Sequence, residues 1–334
     1  MTTSSAHNFE ATTSAFLLGH TPAQQNNKYK AYASAVDKAL KSFESTTEWA
    51  DLIAALGKLG KVFSSNAKSF NDIPNALTVS KRLSQCLHPA LPSGVHLKAL
   101  DTYRQVFLML SRTQNLAKYL FLYSAGLFPL MDHCQIKVKS ELLSIFEQFI
   151  LPLGPNLRPA LAGFITALLL ALEEGTEFYG RAFSLLDQLL EKVGSEAFYL
   201  CFWQSVSGNP SARLPALIFV NTKIEKHKKG KNDSNSDDNL LASFCGGGSQ
   251  SNNNNLMLQA LCIVAEDSSS SPLVQRHLLD FLCMAIPLNS KWTSKQQLVD
   301  LVGRTLFLVL RRDMSLNRRL YQWLLNRFEI IYLI

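Results

Sequence analysis

The sequence predicts an all-α chain folded as a HEAT- or armadillo-like α-solenoid of stacked helical hairpins. Helix formers dominate most of the 334 residues, and an apolar share of 47% is enough for a large buried core. Apolar side chains recur at helical spacing almost throughout, and alternating β-branched runs are nearly absent. Helix pairs open near positions 28, 75, 115, 157 and 196, a period of roughly 40 residues that fits such repeats. No single pair can bury its own apolar face, and stacking on a neighbour solves that problem.

Residues 1–26 read as a disordered polar lead, with neither the basic start nor the apolar core of a signal peptide. Tyr29, Tyr32, Val36, Leu40 and Phe43 then fall on one stripe, opposite Lys30, Lys38 and Lys41. A second helix follows Ser45, whose spacing to Glu48 fits a capping box, and its apolar face is Trp49, Leu52, Ile53, Leu56 and Phe63. After a loop with Asn71, Asp72 and Pro74 comes a hairpin from Thr78 to Phe107. Leu77, Leu83 and Leu87 stripe its first helix, which Pro89 ends. Pro92, Ser93 and Gly94 turn the chain into a helix carrying Val95, Ala99, Tyr103, Val106 and Leu110. Later helices are expected over 117–124, 138–151, 157–172, 178–193 (stopped at Gly194), 196–206 and 211–223. Residues 27–224 thus form one helical-repeat domain. Composition changes at Glu225, so 225–255 reads as a flexible low-complexity insertion. The repeat continues over 256–334, with helices at 256–265, 272–286, 295–311 and 316–328. The apolar end Glu329–Ile334 lacks the polar cap of a terminal repeat, which suggests an array that continues.

Several motifs in this order resemble the N-terminal domain of the Dopey family. They are Ser80-Lys81-Arg82-Leu83 with Gln85-Cys86-Leu87, then Pro89, Leu91-Pro92-Ser93-Gly94-Val95-His96 and Lys98-Ala99-Leu100. Leu122-Tyr123-Ser124, Gly126-Leu127-Phe128-Pro129 and Arg213-Leu214-Pro215-Ala216 continue the agreement. The resemblance implies a cytosolic protein peripherally attached to Golgi and endosome membranes and acting in traffic between them. It also implies partners: a large scaffold related to Arf exchange factors, a phospholipid flippase, kinesin light chain and phosphoinositide headgroups.

The net charge of +7 favours anionic partners such as phospholipid surfaces, nucleic acid or acidic protein patches. Lys58, Lys61 and Lys68 fall on one outer face of their helix, and Lys81, Arg82 and Lys98 come from the next pair. If the pairs stack, these six form a cationic strip for anionic lipid or an acidic partner, with scattered solubilising lysines as the plain alternative. Lys226-His227-Lys228-Lys229-Gly230-Lys231 reads as a solvated linker rather than a localisation tag, and Arg311, Arg312, Arg318 and Arg319 make a third group. RNA-reading solenoids repeat stacking and polar residues at fixed positions, and that regularity is missing here, which argues against nucleic acid.

Enzyme chemistry is not expected. Gly246-Gly247-Gly248-Ser249 lies in the insertion and not between a strand and a helix. His133-Cys134 point apart on a helix, His277 and Asp280 read as an ordinary surface pair, and Glu173-Glu174 mark a helix end. No cofactor is implied. The six cysteines lie far apart without a C-x-x-C pair, arguing against zinc and disulfides and for a reducing compartment. The longest apolar run, Pro159 to Leu172, falls short of the roughly 20 residues a spanning helix needs, so peripheral membrane contact is expected.

Overall fold

The computed structural model describes residues 27–46, 48–230, 244, 252–267, 269–288 and 293–325. Among these residues every regular element is helical and no strand occurs. The chain divides into two compact units: Met1–Cys86 with Gly94–Leu116, and Leu87–Ser93 with Ala117–Ile334.

The first unit holds α1 (Asn27–Lys41), α2 (Trp49–Asn66), α3 (Ala76–Gln85) and most of α4 (Ser93–Ser111). The α1 stripe buries as its spacing requires: Tyr29, Tyr32, Val36, Leu40 and Phe43 are all inside. Tyr32 stacks on Phe70 at 5.2 Å between ring centroids, while Tyr29 meets the same ring edge-on at 5.5 Å. The capping pair of α2 sits three residues later than Ser45: the Glu48 amide donates to the Asp51 carboxylate at 3.3 Å. Trp49, expected inside, is 57% exposed because it stands on the first turn of α2. Leu77 is also largely exposed; Val79, Leu83 and Cys86 form the buried stripe of α3 instead. Leu77 lies six residues before Leu83, about 240° away around a helix with 3.6 residues per turn.

The second unit contains α5 (Asn115–Leu127) from Ala117 onward, α6 (Leu130–His133) and α7 (Ile136–Ile145). The helix expected over 138–151 is present, but its last turn is wound differently. A π turn, Phe146–Ile150, and a 3-10 stretch, Leu151–Ala160, lead into α8 (Leu161–Leu170). Pro152, Pro155 and Pro159 supply no amide donors, so the ladder cannot keep its pitch, and Gly154 takes φ 52°. Taken as one stretch, Ile136–Leu170 is long and apolar enough to cross a membrane by length and composition. Half of its most apolar window is nonetheless buried inside the fold, as in a core helix. Gly163 on α8 is needed for close approach, since a Cβ there would lie 3.1 Å from the Phe128 ring. Phe128, Phe146 and Phe164 cluster with centroids 5.1–5.7 Å apart.

Among the described residues the unit continues with α9 (Tyr179–Val193), α10 (Ser195–Gly208), α11 (Pro210–Gly230), α12 (Asn252–Glu266), α13 (Pro272–Ala285) and α14 (Lys295–Leu306). A 3-10 turn, Phe307–Arg311, then leads to α15 (Met314–Leu325). Gly194, with φ 84°, stops α9 where expected. Helices alternate in their packing. α12 lies on α10 and α14 on α12, while α13 lies on α11 and α15 on α13. Each fully buried Leu or Phe along these seams contributes about 1.5–3 kcal/mol of hydrophobic stabilisation.

Two ends of the expected insertion are helical. α11 runs through Gly230 because Lys226 lays its ammonium over the Phe183 ring at 3.9 Å, and His227, Lys228 and Lys229 suit a helix C-terminus. At the other end, α12 begins at Asn252. Between them Phe244 is fully buried: its carbonyl accepts from Trp203 Nε1 at 3.0 Å, and its ring meets Tyr199 and Phe281. Residues 231–243 and 245–251, which hold the rest of the expected insertion and the Gly246-Gly247-Gly248-Ser249 run, lie outside the described residues, as do the expected polar lead and apolar end.

Candidate functional site

All six residues of the expected cationic strip belong to the first unit. α2 carries glycines at 57 and 60, and side chains of α4 lie over them. A Cβ at Gly57 would stand 3.8 Å from Lys98 Cε, and one at Gly60 3.8 Å from Thr102 Oγ1. The missing side chains let the Lys98 stem lie across the turn of α2 that bears Lys58 and Lys61, both exposed. Lys98 Nζ pairs with Asp101 Oδ2 at 2.7 Å, so a carboxylate offsets one cation of this group locally.

Lys68 stands exposed just past the end of α2. Beside it the Arg112 guanidinium donates to the Ala67 carbonyl, a cation meeting the negative end of the helix. Arg112 adds a basic group that helix-face spacing within α2 and α3 does not reveal, because it reaches back across 45 residues. Lys81 and Arg82 are on α3, which packs against α1. Lys81 is exposed; Arg82 is half-buried and donates to Gln85 Oε1 at 3.1 Å. The structure therefore groups Lys58, Lys61 and Lys98, sets Lys68 with Arg112, and holds Lys81 and Arg82 on a separate helix. Exposed lysines of this kind suit a diffuse anionic surface better than a single small anion, which needs converging donors.

Other sequence candidates take structural roles in the second unit. Asp280 does not pair with His277; it accepts from Arg319 Nε at 2.7 Å, and the His277 carbonyl accepts from Asn221 at 3.0 Å. Arg311 donates to the carbonyls of Ser270 at 2.8 Å and Asp267 at 3.0 Å. Arg213, in the Arg-Leu-Pro-Ala motif, is buried, paired with Asp267 and bonded to the Val206 carbonyl at 3.2 Å. Ser269 and Ser270 hydroxyls, together with Arg213, hold the Asp267 carboxyl well below the usual carboxylate range, at about 2. Cys86, Cys134 and Cys262 are buried, Cys201 and Cys283 half-buried, and burial pushes all five thiols up, Cys86, Cys134 and Cys283 to about 11. Such thiols are poor nucleophiles.

Fold and surface together define an all-helical protein of packed amphipathic hairpins with a lysine-bearing helix face. The chain belongs to the Dopey family: the family described as "Dopey, N-terminal" matches residues 26–329. It is 58% identical over 311 residues to protein pad-1 of Caenorhabditis elegans, covering 92% of this chain and 12% of that protein. Protein DOP1B of Xenopus laevis is 44% identical over 315 residues, with 90% and 13% covered. Protein DOP1 of Saccharomyces cerevisiae is 28% identical over 345 residues, with 91% and 20% covered. The chain thus spans between about an eighth and a fifth of the length of these relatives.

Proposed function

We propose that this chain is a non-enzymatic scaffold in vesicle-mediated protein transport between Golgi and endosomes, docking peripherally on the cytosolic face of their membranes. The observation that carries the reading is the exposed Lys58 and Lys61 pair on α2, with the Lys98 stem laid beside it over Gly57. Family membership supports the trafficking role and the partners: an Arf-exchange-factor-related scaffold, a phospholipid flippase, kinesin light chain and phosphoinositide headgroups. We further propose that the hairpins stack as a HEAT-like solenoid, supported in the second unit by the packing of each helix on the one two places ahead.

Co-sedimentation with liposomes, with and without phosphatidylinositol 4-phosphate, tests the docking. Replacing both Lys58 and Lys61 with Glu should weaken binding at least about thirtyfold, since each basic residue near an anionic surface is worth about 1 kcal/mol. Indifference to anionic lipid, paired with RNA binding that weakens steeply with salt, would replace this reading with a nucleic-acid module.

A further inference from the structure

We propose that the outer apolar faces of α14 and α15 form a docking surface for one further amphipathic α-hairpin, supplied by the polypeptide that follows this region in long Dopey-family proteins. It draws on the packing within the second unit and stands apart from the membrane-docking proposal.

Each of the two helices has a core side and large apolar side chains exposed away from it. On α14 and its 3-10 extension, Leu301, Thr305 and Leu308 are buried. Val299 and Leu306 share the opposite face of α14, 64% and 44% exposed, and Phe307 and Leu310 of the 3-10 turn that follows are 64% and 74% exposed. On α15, Leu316, Leu320 and Trp323 are buried, and Trp323 Nε1 donates to the Ile286 carbonyl at 2.8 Å. On the far side of α15, Met314, Tyr321 and Leu325 are 85%, 57% and 56% exposed, with Arg318 between them. These large apolar side chains stand in solvent within 27 residues of chain, the kind of clustering that marks an interaction surface.

The kind of occupant follows from the rows already built. α14 lies on α12, which lies on α10; α15 lies on α13, which lies on α11. The next place in both rows belongs to a helical pair. Relatives match this chain over only 12–20% of their length, and the matching family region is N-terminal, so they have ample chain to supply that pair. A second copy of this chain is a poorer occupant, because each copy carries a net charge of +7.

The test compares the 334-residue chain with the same chain extended by the region that follows the matched segment in Caenorhabditis elegans pad-1. Leu306→Cys and Tyr321→Cys are introduced singly, with Lys137→Cys on α7 of the same unit as a control, and maleimide labelling at each position is followed by peptide mass spectrometry. The proposal expects fast labelling of all three in the chain alone, and labelling of positions 306 and 321 alone slowed by about tenfold or more in the extended protein. Unchanged labelling in the extended protein would overturn it. So would protection in the chain alone that disappears when residues 326–334 are removed, which makes the chain's own tail the occupant. Protection that rises with concentration alongside a dimer mass would assign the face to a second copy and overturn it equally. A second variant guards against misfolding of the extended protein. Leu310→Asp should leave the melting temperature of the 334-residue chain unchanged and lower that of the extended protein; equal effects in both would again overturn the proposal.

Discussion

In the first unit, lysines on α2 and α3 stand in solvent, and the one ion pair described on this face, Lys98 with Asp101, joins residues one turn apart at the surface. In the second unit, arginines reach across the fold to carboxylates more than thirty residues away. Arg181 grips Glu147 through two nitrogens at 2.5 and 2.7 Å, Arg276 meets Asp313 at 3.1 Å, Arg304 meets Glu266 at 2.5 Å and Arg319 meets Asp280 at 2.7 Å. Arg213 and Asp267 complete the set from the most buried position. The guanidinium fork can satisfy a carboxylate and neighbouring carbonyls at once, and it loses less on desolvation than an ammonium. Similar positive charge therefore stitches helices together in one region and stands in solvent in the other.

The largest expected effect breaks the deepest pair. Asp267→Ala leaves the Arg213 guanidinium buried without its carboxylate and should cost about 3–5 kcal/mol in urea denaturation. Replacing both, Arg213→Met with Asp267→Leu, should return much of that loss. If the double variant is as unstable as the single one, the hydroxyls of Ser269 and Ser270 matter more than the charge pair. Next in size is Phe244→Ala. Removing a fully buried ring from between Tyr199 and Phe281 should cost about 3 kcal/mol in urea denaturation. A loss below about 1 kcal/mol would show that this aromatic contact adds little to the core.

Acid gives a smaller, graded test of the same network. The folded Asp267 carboxyl titrates near 2, below its unfolded value, so its stabilisation is present above about pH 4 and is lost as pH falls from 4 towards 2. With solvent screening the contribution is about 1–2 kcal/mol. Melting temperatures between pH 5 and 2 should fall less steeply for Asp267→Asn than for the natural chain. Parallel curves would remove Asp267 from the acid response.

What the sequence made legible was local. The α1 stripe, the Gly194 stop and the helical nature of nearly every segment follow from spacing, Gly and Pro. Spacing did not tell which apolar faces meet a neighbour, so Trp49 and Leu77 were assigned inside although both are exposed. Nor did composition reveal that Phe244 is buried, because its site is assembled from Tyr199, Trp203 and Phe281. The partners of Arg311 and Arg319 were hidden for the same reason: Asp280, Asp267 and Ser270 lie about forty positions away along the chain. On the candidate docking face, helix spacing grouped Lys58 with Lys61, but only the packed fold shows that Gly57 brings Lys98 beside them and that Arg112 caps α2.

The smallest effect is expected at Lys98, and it sharpens the contrast between the two units. Its pair with Asp101 is one helical turn long, with 35% of one side chain and 51% of the other in solvent. Water screens such pairs, and they contribute about 0.2–0.5 kcal/mol. Lys98→Met keeps an unbranched stem over Gly57 and removes only the charge, so its stability loss should stay below about 0.5 kcal/mol. A double-mutant cycle with Asp101→Asn measures the coupling directly. A coupling near the several kcal/mol expected for Arg213 with Asp267 would mean that the lysine face is built into the fold in the same way as the arginine network. A value within a few tenths of zero means that Asp101 does not hold the Lys98 ammonium, as the membrane-docking proposal requires.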